Sequence, residues 1–320
     1  MEVCLGLLWL LDGLLQLQPH MFGAYFFTDT LGMAIMGLPG PLSSADSHLV
    51  AVLAAHPAAW NLLFATIQLA LGAGLLWRRS AAVALGASIP WALAVWGIGE
   101  GLGGLRMEGT SLLTGAPGPA LLYGAVAVLI WPRRESCEPR LGPTAARTCW
   151  AAVWAGGALM ELQGVNHSPG VPAAQIAASS SGQPHLVAAV GSAMSRLFAG
   201  QGAAFAVCLG AVGLFAGLGA LWGGTRGAAC IAGAGAAIFV GVIGQDLGGV
   251  FGGQATDPGS GPLLLLLAAI VWRQRTASSG PSPSPLPSRS RRSAGQRTMA
   301  DAIVAPLLSS SVAPLTGDGT

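Results

Sequence analysis

Apolar runs broken by short polar stretches organise this chain. Eight can be drawn, at about 3–19, 58–77, 81–104, 117–131, 147–164, 198–222, 227–250 and 261–273. A helix crossing the hydrocarbon core of a bilayer needs about 20 such residues, and fewer where the bilayer is thin. The first, fourth and eighth runs are short by that measure. Without water to bond their backbone groups, all of these runs must be helical. The expected fold is therefore all-α: a polytopic membrane bundle of about eight helices. Composition strengthens this reading. The chain is 52% hydrophobic and 9% charged, with a mean hydropathy of +0.62, whereas soluble domains carry about a quarter charged residues.

Charge placement sets an orientation. Lysine is absent, so all 15 basic residues are arginines. Thirteen follow even-numbered runs or lie in the tail, and only Arg106 and Arg196 fall on the other side. The positive-inside rule then places both termini in the cytoplasm of a plasma-membrane protein. Glu2 stands where a cleavable signal would carry a basic residue, and no small-residue cleavage site follows, so the first run is read as a retained helix. From 276 to 320 the chain is Pro/Ser/Arg-rich ("SSGPSPSPLPSRSRRSAG"), a composition that cannot bury enough surface to fold. The five cysteines lack a CxxC spacing and read as small buried hydrophobes.

The two halves, 1–135 and 136–275, repeat at an offset of 145. Trp9 falls on Trp154, Trp77 on Trp222 and Gly99 on Gly244; "GEGLGG" (99–104) falls on "GQDLGG" (244–249). The last helix slips, with "GPALL" (118–122) aligning best on "GPLLL" (261–265). Each half holds an even number of helices, so the repeats are expected to be parallel. The alignment sets Met1 opposite Ala146, just before Arg147, which leads to the expectation of a natural start slightly upstream.

The candidate chemistry is a handful of polar residues inside apolar runs. Asp12, Glu100, Glu161 and Asp246 are carboxyls there, costing about 2.5–3.5 kcal/mol each at a helix centre. They should face the bundle interior, neutral or hydrogen-bonded unless paired. Asp12, Gln16 and His20 follow at i, i+4 and i+8 and share a face if the helix persists past Pro19. Asn61 and Gln68, seven apart, share a face of the second helix, and Gln163 occupies the Gln18 position in the second half. Two readings stand open: a ligand or proton site, or hydrogen-bonded glue and headgroup-level anchoring. All five histidines lie on the outer side, and His20 has Met21, Met33 and Met36 near it in sequence, a combination suited to copper. No HxxxH or methionine repeat accompanies them, so no metal set is assigned. The outer segments 20–57 and 165–197 are expected to supply interfacial helices over the site. Walker, HExxH and GxSxG motifs are absent, which favours a non-enzymatic protein and leaves any cofactor open.

"WLLDGLLQLQPHMF" followed by "IQLALGAGLLWRRSAAVALGASIPWAL" resembles the DoxX-like four-helix membrane proteins. Gln68, Gly72, Gly74 and Arg79 match that family's second-helix pattern; the second half keeps Gly217, Gly219 and Arg226 without a polar match to Gln68. The full chain is similar to actinobacterial membrane proteins with two such units. The resemblance implies an accessory subunit of a quinone-linked redox system, with a redox protein as partner. The residues themselves favour an outward-facing polar cavity handling a small solute, proton or ion. A structural assembly protein is the third expectation. Bilayer lipid and a second copy of the chain are the other expected partners, and nothing suggests nucleic acid.

Overall fold

The structure, a computed structural model, describes residues 1–35, 40–133 and 136–278. Each apolar run closes its backbone bonds as a helix: α1 (Glu2–Leu15), α2 (Pro57–Leu76), α3 (Ala81–Ala94), α4 (Pro119–Ile130), α5 (Pro143–Glu161), α6 (Gly202–Gly219), α7 (Arg226–Phe239) and α8 (Ser260–Ser278). Proline opens α2, α4 and α5, where its missing N–H has no intrahelical partner to lose. Both α3 and α7 run on through a π-helical turn, Val95–Gly99 and Val240–Gly244. Pro90 inside α3 has Gly235 at the same place in α7, so proline is not the cause of these turns.

Among the described residues four helices are long and apolar enough to cross a membrane: Pro57–Leu76, Ala81–Gly99, Gly202–Gly219 and Arg226–Gly244. The other four of the expected eight fall short for local reasons. α1 has 14 residues and α4 has 12, α5 opens on the polar "PTAART", and the apolar part of α8 ends at Arg273.

Several boundaries move inward. α1 stops at Leu15, and Pro19 starts a 3-10 turn, Pro19–Phe22, which takes His20 off the face shared by Asp12 and Gln16. α5 stops at Glu161, followed by the turn Gly164–His167, so Gln163 also lies outside its helix. The outer segments do fold as helices, Gly40–Ala55 in one half and Val171–Ser179 with His185–Phe198 in the other. One element departs from the all-α expectation: Pro132–Arg133 pairs antiparallel with Ser136–Pro139 as a small hairpin. The Pro/Ser/Arg-rich tail expected from 276 lies outside the described residues from 279 onward.

Packing follows small residues. α1 lies against α2, α2 against α3, α3 against α4, and α4 returns to α1; α5 to α8 close a second ring in the same order. The rings meet where α4 touches α5 and α8, within one compact body, Met1–Ser279. A Cβ on Gly72 would stand 2.7 Å from the Leu10 backbone nitrogen, and one on Gly217 would stand 3.0 Å from the Ala151 carbonyl oxygen. Glycine is what lets the first two helices of each ring approach so closely. Trp9 stacks on Tyr123 at 4.2 Å between ring centres, and Trp150 and Trp154 fill the second ring. Outside, the surface is apolar: Val83 is 75% exposed, with Leu7, Leu62 and Ile231 similarly open. Trp77 and Trp222 stand exposed just past the ends of α2 and α6, the placement of an interfacial aromatic belt. Cys4 and Cys208 are also exposed, so they are not the buried hydrophobes expected.

After each π turn the chain makes a rare bend. Gly101, Leu102, Gly103 and Gly104 all have positive φ, as do Asp246, Leu247, Gly248 and Gly249. Four left-handed residues in a row form a turn that L-residues resist. At Gly103 a Cβ would meet the Pro117 carbonyl oxygen at 1.9 Å, and at Gly248 the Asp257 carbonyl oxygen at 2.1 Å. Gly103→Ala and Gly248→Ala are expected to destabilise the protein by at least about 1–3 kcal/mol each. Gly156→Ala, where an added Cβ meets nothing within 4 Å, should be neutral or stabilising by up to about 1 kcal/mol. Thermal unfolding in detergent checks all three.

Candidate functional site

The left-handed bends send the following loops across to the opposite ring, and this crossing builds the site. Loop 105–118, from the first half, enters the second ring. There Leu112 is buried, and its backbone N–H donates to Glu161 Oε1 at 2.8 Å. Asn166 Nδ2 donates to the Thr110 carbonyl oxygen at 3.2 Å and Gln175 Nε2 to that of Gly109 at 2.8 Å, clamping the loop. Loop 250–259, from the second half, enters the first ring. Thr256 and Asp257 reach a cavity of about 290 Å³ there. Leu112 and Asp257 are the residues that the two loops carry into the interior of the facing ring.

The cavity is walled by aromatic side chains, among them Trp9, Phe26, Trp60, Phe64, Trp91 and Tyr123. Into it come Asp12 and Gln16 from α1, Gln68 from α2, Glu100 from the end of α3, and Asp257. Leu31 from a π turn, Phe26–Leu31, and Leu49 and Leu53 from the outer helix Gly40–Ala55 complete the rim. Asp12 is 2% exposed, and Gln16 and Gln68 are buried. Among the described residues no basic side chain lines the cavity.

Its polar atoms are unusually poor in partners. Gln16 Oε1, Gln68 Oε1, Glu100 Oε2 and the Trp9 and Trp91 indole N–H groups are all buried without a hydrogen bond in the protein, and Asp12 and the Tyr123 hydroxyl have only each other. Buried polar groups are nearly always paired, so five unpartnered atoms around one space mark a place that takes water or a ligand. Asn61 is tied down instead, donating from Nδ2 to the Gln16 carbonyl oxygen at 2.6 Å, although its own Oδ1 is unpaired.

Glu100 has a second task. Its Oε1 accepts the Ala120 N–H at 2.9 Å, at the N-terminus of α4. A carboxylate suits that position because the first helical N–H groups are otherwise unsatisfied. A Cβ on Gly118 would sit 2.2 Å from Glu100 Oε2, so glycine makes the room. In the second ring Gln245 does this work: Oε1 accepts the Ser260 N–H at 2.7 Å, at the start of α8. The counterpart of Glu100 is thus Gln245 and not its neighbour Asp246, which sits on the left-handed bend away from the cavity.

Asp257 is fixed by its own loop, accepting from Thr256 Oγ1 and the Gly259 N–H, both at 2.8 Å. Burial pushes its carboxyl above the ordinary carboxylate range, against those two hydrogen bonds. Asp12 and Glu100 are close enough to Asp257 for their charges to interact, and the Tyr123 hydroxyl stands beside Asp12.

The structure gathers Asp12, Gln16, Gln68 and Glu100 from the sequence candidates and leaves the others elsewhere. Glu161 anchors loop 105–118 in the second ring, and His20 stacks edge-on with Tyr25. Gln163 does not line the cavity. Asp257, Tyr123 and the tryptophan walls escaped the sequence reading. No sequence signal marks Asp257, because the register of the two halves slips within this loop.

Comparison with known protein families, curated proteins and solved structures finds no match. Geometry therefore carries the functional argument.

In the second ring the counterparts of Trp60, Phe64 and Trp91, which are Phe205, Leu209 and Ala236, line an open apolar groove with no carboxyl. Gly157 replaces Asp12 and Gly213 replaces Gln68, and Leu112 fills the space, lying 2.2 Å from a Cβ built on Gly157. Leu112→Ala should cost about 2–5 kcal/mol, read as a loss of thermal stability in detergent. A second expectation concerns pH. Asp257 holds its proton more tightly in the folded than in the unfolded protein, so stability falls as pH rises above the ordinary carboxylate range, about 4. Asp257→Asn should flatten that part of a melting-temperature profile.

Proposed function

We propose that this chain is an integral plasma-membrane protein whose first ring binds a small solute in an outward-facing cavity. The observation that carries the reading is the group of buried, unpartnered polar atoms around one aromatic-walled space. A purely structural bundle would have paired or replaced them, as the second ring does at Gly157 and Gly213.

The finer architecture belongs to the same proposal. Eight helices span the bilayer as two parallel four-helix repeats, with both termini cytoplasmic. Three features support it: the recurrence of the π turn and left-handed bend at an offset of 145, the identical ring order, and the arginine bias. With that orientation the outer helix Gly40–Ala55 and the cavity rim lie on the extracytoplasmic side.

The resemblance to DoxX-like proteins supplies a second reading, a quinone-binding accessory subunit, and the apolar walls beside Gln68 and Glu100 favour it. Against it, the open apolar groove on the bundle surface lies in the other ring, between α6 and α7, where Phe198, Phe205 and Phe239 line it with no carboxyl.

A thermal-shift screen in detergent tests the site. A ligand present at 100 times its Kd should stabilise the wild type by about 2.7 kcal/mol, and Asp12→Asn and Gln68→Leu should each abolish most of that shift. A ligand whose stabilisation survives both substitutions binds elsewhere, and the cavity would lose its assignment.

A further inference from the structure

We infer that the solute is a small organic cation, an amine or ammonium compound with an apolar body, held between the aromatic walls and the carboxyls of Asp12, Glu100 and Asp257. This rests on reading the cavity as a solute site and goes beyond it by fixing the charge of the ligand.

Three observations converge. The first is the charge inventory: three carboxyls line the cavity and no basic side chain among the described residues does. Buried acids at this density are costly without a counter-charge, and a cationic ligand supplies the one the protein lacks. The second is acceptor chemistry. Gln16, Gln68 and Glu100 each present an unpartnered oxygen acceptor, Asp12 adds a carboxyl whose one neighbouring donor is the Tyr123 hydroxyl, and Asp12 and the two glutamines are more than nine-tenths buried. An ammonium group is all donor and satisfies several acceptors at once. The third is the wall. Trp60, Phe64 and Trp91 run as a connected aromatic group, with centroid separations of 6.4 Å and 5.6 Å, and Trp9 with Tyr123 faces the same space. Aromatic faces attract a desolvated cation and also accept its apolar body.

The arrangement also speaks to the kind of cation. Among the described residues no three His, Cys, Asp or Glu side chains stand close enough to chelate a metal ion. The carboxyls are spread around about 290 Å³, a volume suited to a molecule and not to a bare ion. The second ring gives an internal contrast. Where Asp12 becomes Gly157 and Glu100 becomes Gln245, the corresponding groove keeps an aromatic lining of Phe198, Phe205 and Phe239 but has no carboxyl. The acids are therefore what sets the first ring's space apart.

The test uses the full chain in detergent and three isosteric probes: phenethylamine (cationic at pH 7), 2-phenylethanol (neutral) and 3-phenylpropionate (anionic). Isothermal titration calorimetry and quenching of the cavity tryptophans read binding. Phenethylamine is expected to bind at least tenfold more tightly than the alcohol, with no measurable binding of the carboxylate. Asp257→Asn, which keeps the side chain's shape and one of its two accepted hydrogen bonds, should weaken phenethylamine at least tenfold and leave the alcohol unchanged; Trp91→Leu should weaken phenethylamine more than the alcohol. Equal binding of amine and alcohol in the wild type overturns the cation inference while leaving a solute site intact. Tighter binding of the carboxylate overturns it as well. If none of the probes binds and none shifts the melting temperature, both the inference and the cavity's assignment fall. Because the wild-type comparison alone decides the charge preference, a variant that fails to fold does not shelter the idea.

Discussion

The bend that closes the third helix of each half governs the architecture. Four consecutive left-handed residues turn the chain out of its own bundle, and the carbonyl contacts at Gly103 and Gly248 leave no room for a side chain. From that turn the next loop passes into the opposite ring instead of returning over its own. Leu112 and Asp257 are where they are because of it. The capping of α4 by Glu100 and of α8 by Gln245 depends on it too, since both residues stand at the junction of π turn and bend. Strain of this kind persists only where the surroundings over-determine it, and here the surroundings are the backbone of the loop being redirected.

Given that exchange, the difference between the rings comes down to a few side chains. One loop tip is leucine, and the ring receiving it has glycine at 157 and 213; the result is a packed core. The other loop tip is aspartate, and the ring receiving it offers Asp12, Gln16, Gln68 and Glu100; the result is a cavity. Burying leucine contributes through the hydrophobic effect, whereas gathering acids in an apolar setting costs stability. The first ring accepts that cost and the second does not, which is the difference on which the proposed site rests.

Much of this was legible in the chain because membrane helices leave little freedom. Apolar runs must be helices, and polar residues within them must turn inward; that reasoning located Asp12, Gln16, Gln68 and Glu100. It failed wherever the chain left helical geometry. His20 was placed by extending a 3.6-residue period across Pro19, where α1 has already given way to a 3-10 turn. Asp246 stands among the candidates as an acid in an apolar run, but it lies on the left-handed bend, and Gln245 is the residue in register with Glu100. Asp257 was invisible for a different reason: it serves a ring 245 residues away from Asp12 in sequence, and no local pattern encodes a long-range crossing. The hairpin at Pro132–Arg133 and Ser136–Pro139 carries no membrane constraint and therefore no hydropathy signal.

The reciprocal crossing of the two loops has a mechanical meaning. Each ring holds a piece of the other, so the rings cannot separate, tilt or open independently without withdrawing a loop from its neighbour's interior. Whatever occupies the cavity touches Asp257, which belongs to the second half, and so presses directly on the linkage between α7 and α8. The two rings are joined as a clasp, one carrying the socket and the other carrying the pin.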